Sequence, residues 1–319
     1  MSEEASNSVL STPAGNQLRR PLVSVIIPTF NRAQDLARAL ESVSNQSFDD
    51  WEVIVVDNHS IDDTDLVVAK YRDDRMRFFK IHNKGVIAVS RNLGLRLARG
   101  RYVAFLDSDD WWDAEKLAQS VNALESSADV VYHDAWLVCK SNQAIFYRRA
   151  KTWALRDPAA VDLIARGNAL VNSTVVVRRD LLVQIGGLCE TPEMVAIEDY
   201  DIWVRLAEVG ARFMRLSSVL TYYWIGGGNN SNPRQLLTNS EAFVKRHYIA
   251  FEFALKAPET CWLELARGEA KFHIEDYAGA IQSLLPYVGS KAHWSWQSKA
   301  LFLLLRALIG AGIASLRAK

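Results

Sequence analysis

The chain has 319 residues, 49% hydrophobic and 23% charged, with Lys plus Arg and Asp plus Glu both at 37 and a formal net charge of +0. That is enough apolar material for a large core plus an appendage, and too balanced for a disordered chain or for a general field that would draw it to nucleic acid. The three cysteines, Cys139, Cys189 and Cys261, are far apart and lack Cys-x-x-Cys spacing, which suits a reducing compartment and excludes a disulfide scaffold or a zinc finger.

Residues 1–20 are small and polar, without the apolar core of a signal peptide, and read as a flexible tail of a cytoplasmic protein. Pro21 introduces Leu22–Ile27, a nearly continuous apolar run of the kind found in a parallel strand covered on both faces. Ala33, Leu36, Ala37, Leu40 and Val43 then fall on one helical face. The unit repeats. Glu52–Val56 reads as a strand ending at Asp57-Asn58, with Asp62 or Asp63 capping a helix that runs to Tyr71. Arg77–Ile81 follows as a strand, then a helix from about Ala88 to Ala98 that Gly100 closes, then the strand Tyr102–Leu106. Strand and helix alternating through short connections predict a parallel sheet with helices on both faces. Every predicted strand ends in polar residues on one rim, where open α/β sheets place their ligands.

Past Trp112 the pattern changes. Ala114–Ser126 reads as a helix, Asp129–His133, Ala135–Cys139 and Ala144–Tyr147 as shorter strands of a mixed sheet, Pro158 as the start of a helix, and Asn172–Val177 as a strand. Gly186-Gly187 is a break, Glu198–Glu208 is helical, Val219–Ile225 is the last strand, and the glycine-rich segment from Gly226 to Ser231 is a candidate lid. From Gln235 onward the chain reads as all-helical, with one faint tetratricopeptide-like copy at Ala266–Leu285.

The chemistry concentrates where the Tyr102 strand stops, at Asp107-Ser-Asp109-Asp110. Carboxylates packed this closely repel one another. A hard divalent cation with oxygen ligands offsets that repulsion, although a capped turn before the next helix accounts for the same residues. No Gly-x-Gly-x-x-Gly and no Walker A motif follows the first strand, so neither a dinucleotide nor a P-loop grip is expected.

Five stretches, in order, resemble the family-2 glycosyltransferases of the GT-A fold. They are Val23-Ser-Val-Ile-Ile-Pro-Thr-Phe-Asn-Arg32, Glu52-Val-Ile-Val-Val-Asp-Asn58, Asn83-x-Gly85 with Ser90-Arg-Asn-x-Gly94, Phe105-Leu-Asp-Ser-Asp-Asp110, and Glu198-Asp-Tyr-Asp-Ile-Trp203. The resemblance implies an α/β fold, a GT-A Rossmann-like mixed sheet with helices on both faces, over residues 21–232, followed by an all-helical appendage at 233–319. It implies a hexosyl- or N-acetylhexosaminyl-transferring enzyme with an inverting mechanism, a nucleotide-sugar donor (a UDP-sugar) and a glycan, polysaccharide or lipid-linked acceptor. Carried over position by position, Pro28 and Phe30 line the base with Asn31 beside them. Asp57 accepts from the base or ribose, most naturally from a uracil N–H. Arg91 contacts the nucleotide or diphosphate, Asp107 and Ser108 stand at the ribose side, Asp109 with Asp107 holds Mg2+ or Mn2+, and Asp199 is the general base with Glu198 as the second candidate. Where some members carry Arg or His before the flexible loop, this chain has Trp224 and Gly226, which leaves the metal fewer protein ligands.

Two other classes compete: a non-catalytic sugar-nucleotide-binding or scaffold protein, and a nucleotidyltransferase. The intact acidic pairs speak against the first, and the lack of a Gly-rich basic loop after the first strand against the second. Lys299–Lys319 is apolar with basic flanks and is interrupted by Arg306. It suits an interfacial helix at the inner face of the cell membrane or a helix buried among its neighbours, and the sequence leaves both open.

Overall fold

A computed structural model of the chain describes residues 20–71, 73–139, 148–226, 233–249, 252, 262–288 and 294–317. The strands are β1 (Val23–Thr29), β2 (Trp51–Asp57), β3 (Met76–Lys80), β4 (Tyr102–Phe105), β5 (Trp111–Trp112), β6 (Val130–Val138), β7 (Arg149–Ala150), β8 (Val176–Arg178) and β9 (Phe213–Trp224). The helices are α1 (Ala33–Ser44), α2 (Thr64–Lys70), α3 (Ile87–Leu97), α4 (Lys116–Ser126), α5 (Ala159–Arg166), α6 (Arg179–Gln184), α7 (Glu198–Glu208), α8 (Pro233–Arg246), α9 (Trp262–His273), α10 (Tyr277–Leu284) and α11 (Trp294–Arg317).

One sheet runs β3-β2-β1-β4-β8-β6-β9-β5, with β7 on β6. β3, β2, β1 and β4 are parallel. β8 is antiparallel to β4 and to β6, β9 runs parallel to β6, and β5 closes the edge antiparallel to β9. The apolar runs have a plain cause. Val23, Val25 and Ile27 of β1 enter the core beneath α1 and α4, while Ile26 enters the core under α3, α5 and α7. A strand buried on both faces has no polar alternation to keep.

The turn expected to be closed by Gly100 serves another purpose. α3 ends at Leu97, and a Cβ on Gly100 would come within 2.6 Å of the Ser24 backbone nitrogen, so glycine is needed there for close approach. The N-cap position of α2 is Asp63, without a side-chain cap bond, while Asp62 before it ties α2 to α1, its two oxygens accepting from Thr64 N (3.2 Å) and Ala33 N (2.8 Å). Glu198 and Asp199 lie inside the first turn of α7, whose N-cap is Ile197, and neither caps it by a side chain.

The variable half departs more. The two strands expected at 129–133 and 135–139 are one, β6, with its pairing to β9 irregular around Asp134. Asn172–Thr174 is a 3-10 turn, and only Val176–Arg178 pairs in the sheet. β9 starts earlier than expected, at Phe213, and the two-residue β5 carries no pattern that marks it as a strand. The strand expected at 144–147, and most of the lid segment and of the tail, lie outside the described residues. Beyond the sheet, α9, α10 and α11 share a small core of Leu265, Leu284, Ala300, Leu303 and Leu304.

Candidate active site

The carboxyl ends of β1 to β4 meet the start of α7 and the end of β9 around one cavity of about 840 Å³. Pro28, Phe30, Arg91, Asp107, Ser108, Asp109, Glu198 and Asp199 all line it, as do Arg32, Asn172, Tyr223 and Trp224. Phe30, 51% exposed, offers its ring at one end of the cavity.

Asn31 and Asp57 do not line it. Asp57 is fully buried, and its oxygens accept from Ser60 N at 3.0 and 3.1 Å and from Ser60 Oγ, with Lys80 Nζ at 3.8 Å. Asn31 has φ 50, donates its N–H to Ser60 Oγ (2.8 Å), and accepts from Ile61 N through Oδ1 (2.9 Å). Both residues stand beside the lining residues Phe30 and Asn58. Through Ser60 the pair fixes the 58–62 turn behind the wall.

Arg91 ties the two acidic motifs together. α3 presents it because Gly94 lets the helix close on β1, where a Cβ would sit 2.5 Å from Ile26 Cγ2. The guanidinium, 3% exposed with its residue, donates to Glu198 Oε1 and Asp107 Oδ1, both at 2.6 Å. Burial by itself would lower its pKa, but Asp107 and Glu198 outweigh that and hold it above the usual arginine range. Asp107 Oδ1 also accepts from Asn172 Nδ2 at 3.1 Å. Arg91 is therefore enclosed by protein carboxylates while it lines the cavity.

Asp109 has a different environment. Burial and the neighbouring Asp107 raise its pKa, while Arg32 Nη1, 2.8 Å from Oδ2, opposes the rise. Asp110 is buried, accepts from Trp224 N (2.8 Å), and is pushed well up by burial, Asp107 and Asp109. These crowded oxygens fit a divalent cation. Among the described residues no three His, Cys, Asp or Glu side chains converge as a ready cage. A cation here would take Asp109 and Asp107 and complete its shell from phosphate oxygens and water, as Mg2+ commonly does.

At the α7 end, burial and then the Glu198 charge raise Asp199 to about 7, with Arg91 opposing. Asp199 Oδ1 accepts from Tyr200 N at 2.7 Å, and Glu198 Oε2 is buried without a hydrogen-bond partner. Glu198 is ion-paired with Arg91, and Asp199 is left poised to exchange a proton near neutrality.

Sequence reasoning missed the brace behind this pair. α8 lays Asn239 against the turn before α7, where its Nδ2 donates to Val195 O. Phe243 stacks on Tyr200 at 4.4 Å. His247 Nε2 and Arg246 Nε reach Asp201 Oδ1 at 3.0 and 2.7 Å, and Arg205 Nε holds Oδ2 at 2.8 Å. The apolar spacing of α8 marks it as a packed helix, but no local signal says that it packs on α7.

The comparisons with known proteins fit this geometry. The model of "Glycosyl transferase family 2" matches residues 24–174. The chain is 28% identical over 258 residues to the putative teichuronic acid biosynthesis glycosyltransferase TuaG of Bacillus subtilis, covering 79% of this chain and 97% of that one. It is 28% identical over 210 residues to the UDP-Glc:alpha-D-GlcNAc-diphosphoundecaprenol beta-1,3-glucosyltransferase WfaP of Escherichia coli, covering 66% and 80%. In fold it is similar to S. aureus TarS 1-349 in complex with UDP-GlcNAc, with TM-score 0.60, 19% identity, and 90% and 88% of the two chains covered. It is also similar to the Pyrobaculum calidifontis mannosyltransferase PcManGT in complex with GDP-Man and Mn2+, with TM-score 0.57, 19% identity, and 93% and 88% covered. The family model's match over residues 24–174, five motifs in order, a mixed GT-A sheet and one acidic cavity at its carboxyl rim mark the chain as a glycosyltransferase similar to those of glycosyl transferase family 2.

Proposed function

We propose that the unit at residues 21–232 transfers a sugar from a UDP-sugar to a hydroxyl of a glycan or lipid-linked acceptor in cell-envelope polysaccharide synthesis, on the cytoplasmic side, with inversion at the anomeric carbon. The observation that carries this reading is a cavity lined by Asp107, Asp109, Glu198 and Asp199 together, with Arg91 bridging Asp107 to Glu198. The names of TuaG and WfaP, a teichuronic acid enzyme and a UDP-Glc-dependent enzyme acting on a diphosphoundecaprenol acceptor, support the substrate classes.

Pro28 and Phe30 seat the nucleobase, and Asn58 and Asn83 border it. Asp109 and Asp107 hold Mg2+ or Mn2+, which supplies charge neutralisation to a diphosphate leaving group when bound. Arg32 shares Asp109 and can turn its guanidinium toward the same phosphates. Asp199 takes the proton of the acceptor hydroxyl as that oxygen attacks from the face opposite the diphosphate, a contribution of ~10²–10⁴ in rate. Glu198 keeps Arg91 in place, and its charge keeps Asp199 basic.

Titration calorimetry with UDP, GDP and dTDP, each with Mn2+ and with EDTA, tests the donor and the metal together. Metal-dependent binding of UDP alone supports the reading. No binding of any of them refutes it. Proton NMR of the first product formed from an α-linked donor checks the stereochemistry, and a retained α-linkage would overturn the single-displacement route.

A further inference from the structure

Helix α11 uses only one face within the fold. Ala300, Leu303, Leu304 and Ala307 are buried against α9 and α10. On the opposite side Leu301, Phe302, Leu305, Leu308, Ile309 and Ile313 are 45, 59, 53, 50, 63 and 48% exposed. Their spacing is i, i+1, i+4, i+7, i+8 and i+12, a continuous stripe along the helix and not the scatter of single apolar side chains found on any surface.

Within α11 itself the charges have one sign, and one of them, Lys299, is paired with Glu269 Oε2 of α9 at 2.7 Å. From Trp294 to Lys319 the sequence holds no Asp or Glu, and Lys299, Arg306, Arg317 and Lys319 are its charged residues, in a chain whose formal net charge is +0. Arg306 is exposed mid-helix with its guanidinium 4.7 Å from the Phe272 ring and 5.5 Å from the Phe302 ring, at the border between the packed face and the free stripe. A long cationic side chain there can lie along apolar surface and keep its head among anionic groups. The side chains of Trp294 and Trp296 and those past Ala314 lie outside the described residues.

We propose that this stripe docks on an anionic lipid bilayer, with α11 lying in the plane of the membrane. The stretch Gln297–Ala314, with mean hydropathy 1.4, is long and apolar enough to cross a membrane. Crossing would strip the helix from α9 and α10 and place Arg306 in hydrocarbon, so the surface orientation is favoured. A second copy fits less well, because the cations of two such helices would face one another with no acidic residue of α11 between them. A bilayer rich in acidic headgroups complements the rim and accepts the apolar stripe at once. The surface acts in this way whatever the acceptor, and with a lipid-linked one it would bring the cavity to the leaflet that carries it.

The test is co-sedimentation of the full chain with phosphatidylcholine vesicles, and with vesicles containing about 30% phosphatidylglycerol. The expected result is binding to the anionic vesicles that is released by alkaline carbonate and weakened about tenfold by about 0.5 M salt. The double variant Leu305→Glu/Ile309→Glu should bind at least tenfold less, and Leu308→Ser, a milder change, should fall between. Near-unchanged circular dichroism in each variant separates lost docking from lost folding. A parent that stays in the supernatant, a double variant that binds like the parent, or retention after carbonate would each overturn the proposal. So would a parent dimer that the same variant dissociates in the absence of vesicles, which would assign the stripe to a second copy.

Discussion

Replacing Asp199 by asparagine separates its charge from its shape. The variant keeps an oxygen to accept from Tyr200 N, a bond of 2.7 Å in the parent, and loses only the ability to ionise. In the parent, burial and Glu198 raise this carboxyl from 3.8 to about 7. At about 1.36 kcal/mol for each tenfold change in proton affinity, a rise of that size would be worth about 4 kcal/mol. The side chain is partly open to the cavity, and solvent screening reduces this to about 2 kcal/mol. The folded state holds its proton up to about pH 7, whereas the unfolded chain releases it near 4, so the parent loses stability as pH rises between those values. An asparagine has no proton to lose, so the Asp199→Asn variant should match the parent near about pH 4 and exceed it by about 2 kcal/mol above about pH 7, roughly 5 °C in Tm. Over the same range kcat should be lower by about 10²–10⁴ with UDP affinity unchanged. Scanning calorimetry at several pH values and a transfer assay read both effects. A variant as active as the parent, or a stability gain that does not grow with pH, would refute the assignment of Asp199 as the base.

Arg91→Met should be the most damaging single change at the site. It leaves Glu198 and Asp107 facing each other without their shared guanidinium and should cost about 3–5 kcal/mol in chemical denaturation, with UDP binding weakened. His247 responds to pH in a defined sense. Burial lowers its pKa, but Asp201 and Glu208 raise it overall, so the stability it adds is complete below the unfolded value of about 6.5 and is lost as pH rises through the higher folded value. A His247→Gln variant should have a flatter Tm against pH through that window, and equal slopes would sink the claim. Asn239→Asp keeps its shape but removes the N–H that holds Val195 O, so kcat should fall at least about tenfold with donor KM little changed. Parallel losses in both constants would instead mark Asn239 as a general stability residue.

The contrast between what could be read and what could not follows the range of the interactions. The alternation of strand and helix through Phe105 was legible because β1, β2 and β4 are apolar runs buried on both faces and α1 and α3 carry their own apolar faces, with the half-buried edge strand β3 the least marked. Eight of the predicted site residues meet in one cavity because a parallel sheet delivers every strand's carboxyl end to the same rim. Asn31 and Asp57 hold the 58–62 turn, a role the sequence did not announce, since a carboxylate at a strand end has the same local sequence whether it faces a ligand or a turn.

The fold of the first half, the acidic motifs and the chemistry they suit are written in the order of the residues, because all of these depend on neighbours in the chain. The bridge that Arg91 makes between Asp107 and Glu198 is not, since it spans separations of 16 and 107 residues and exists only once the sheet has formed. The bracing of α7 by α8 and the uncovered face of α11 are of the same kind. Such outcomes depend on which surfaces meet, and the same amphipathic pattern serves a helix that finds a partner and one that does not.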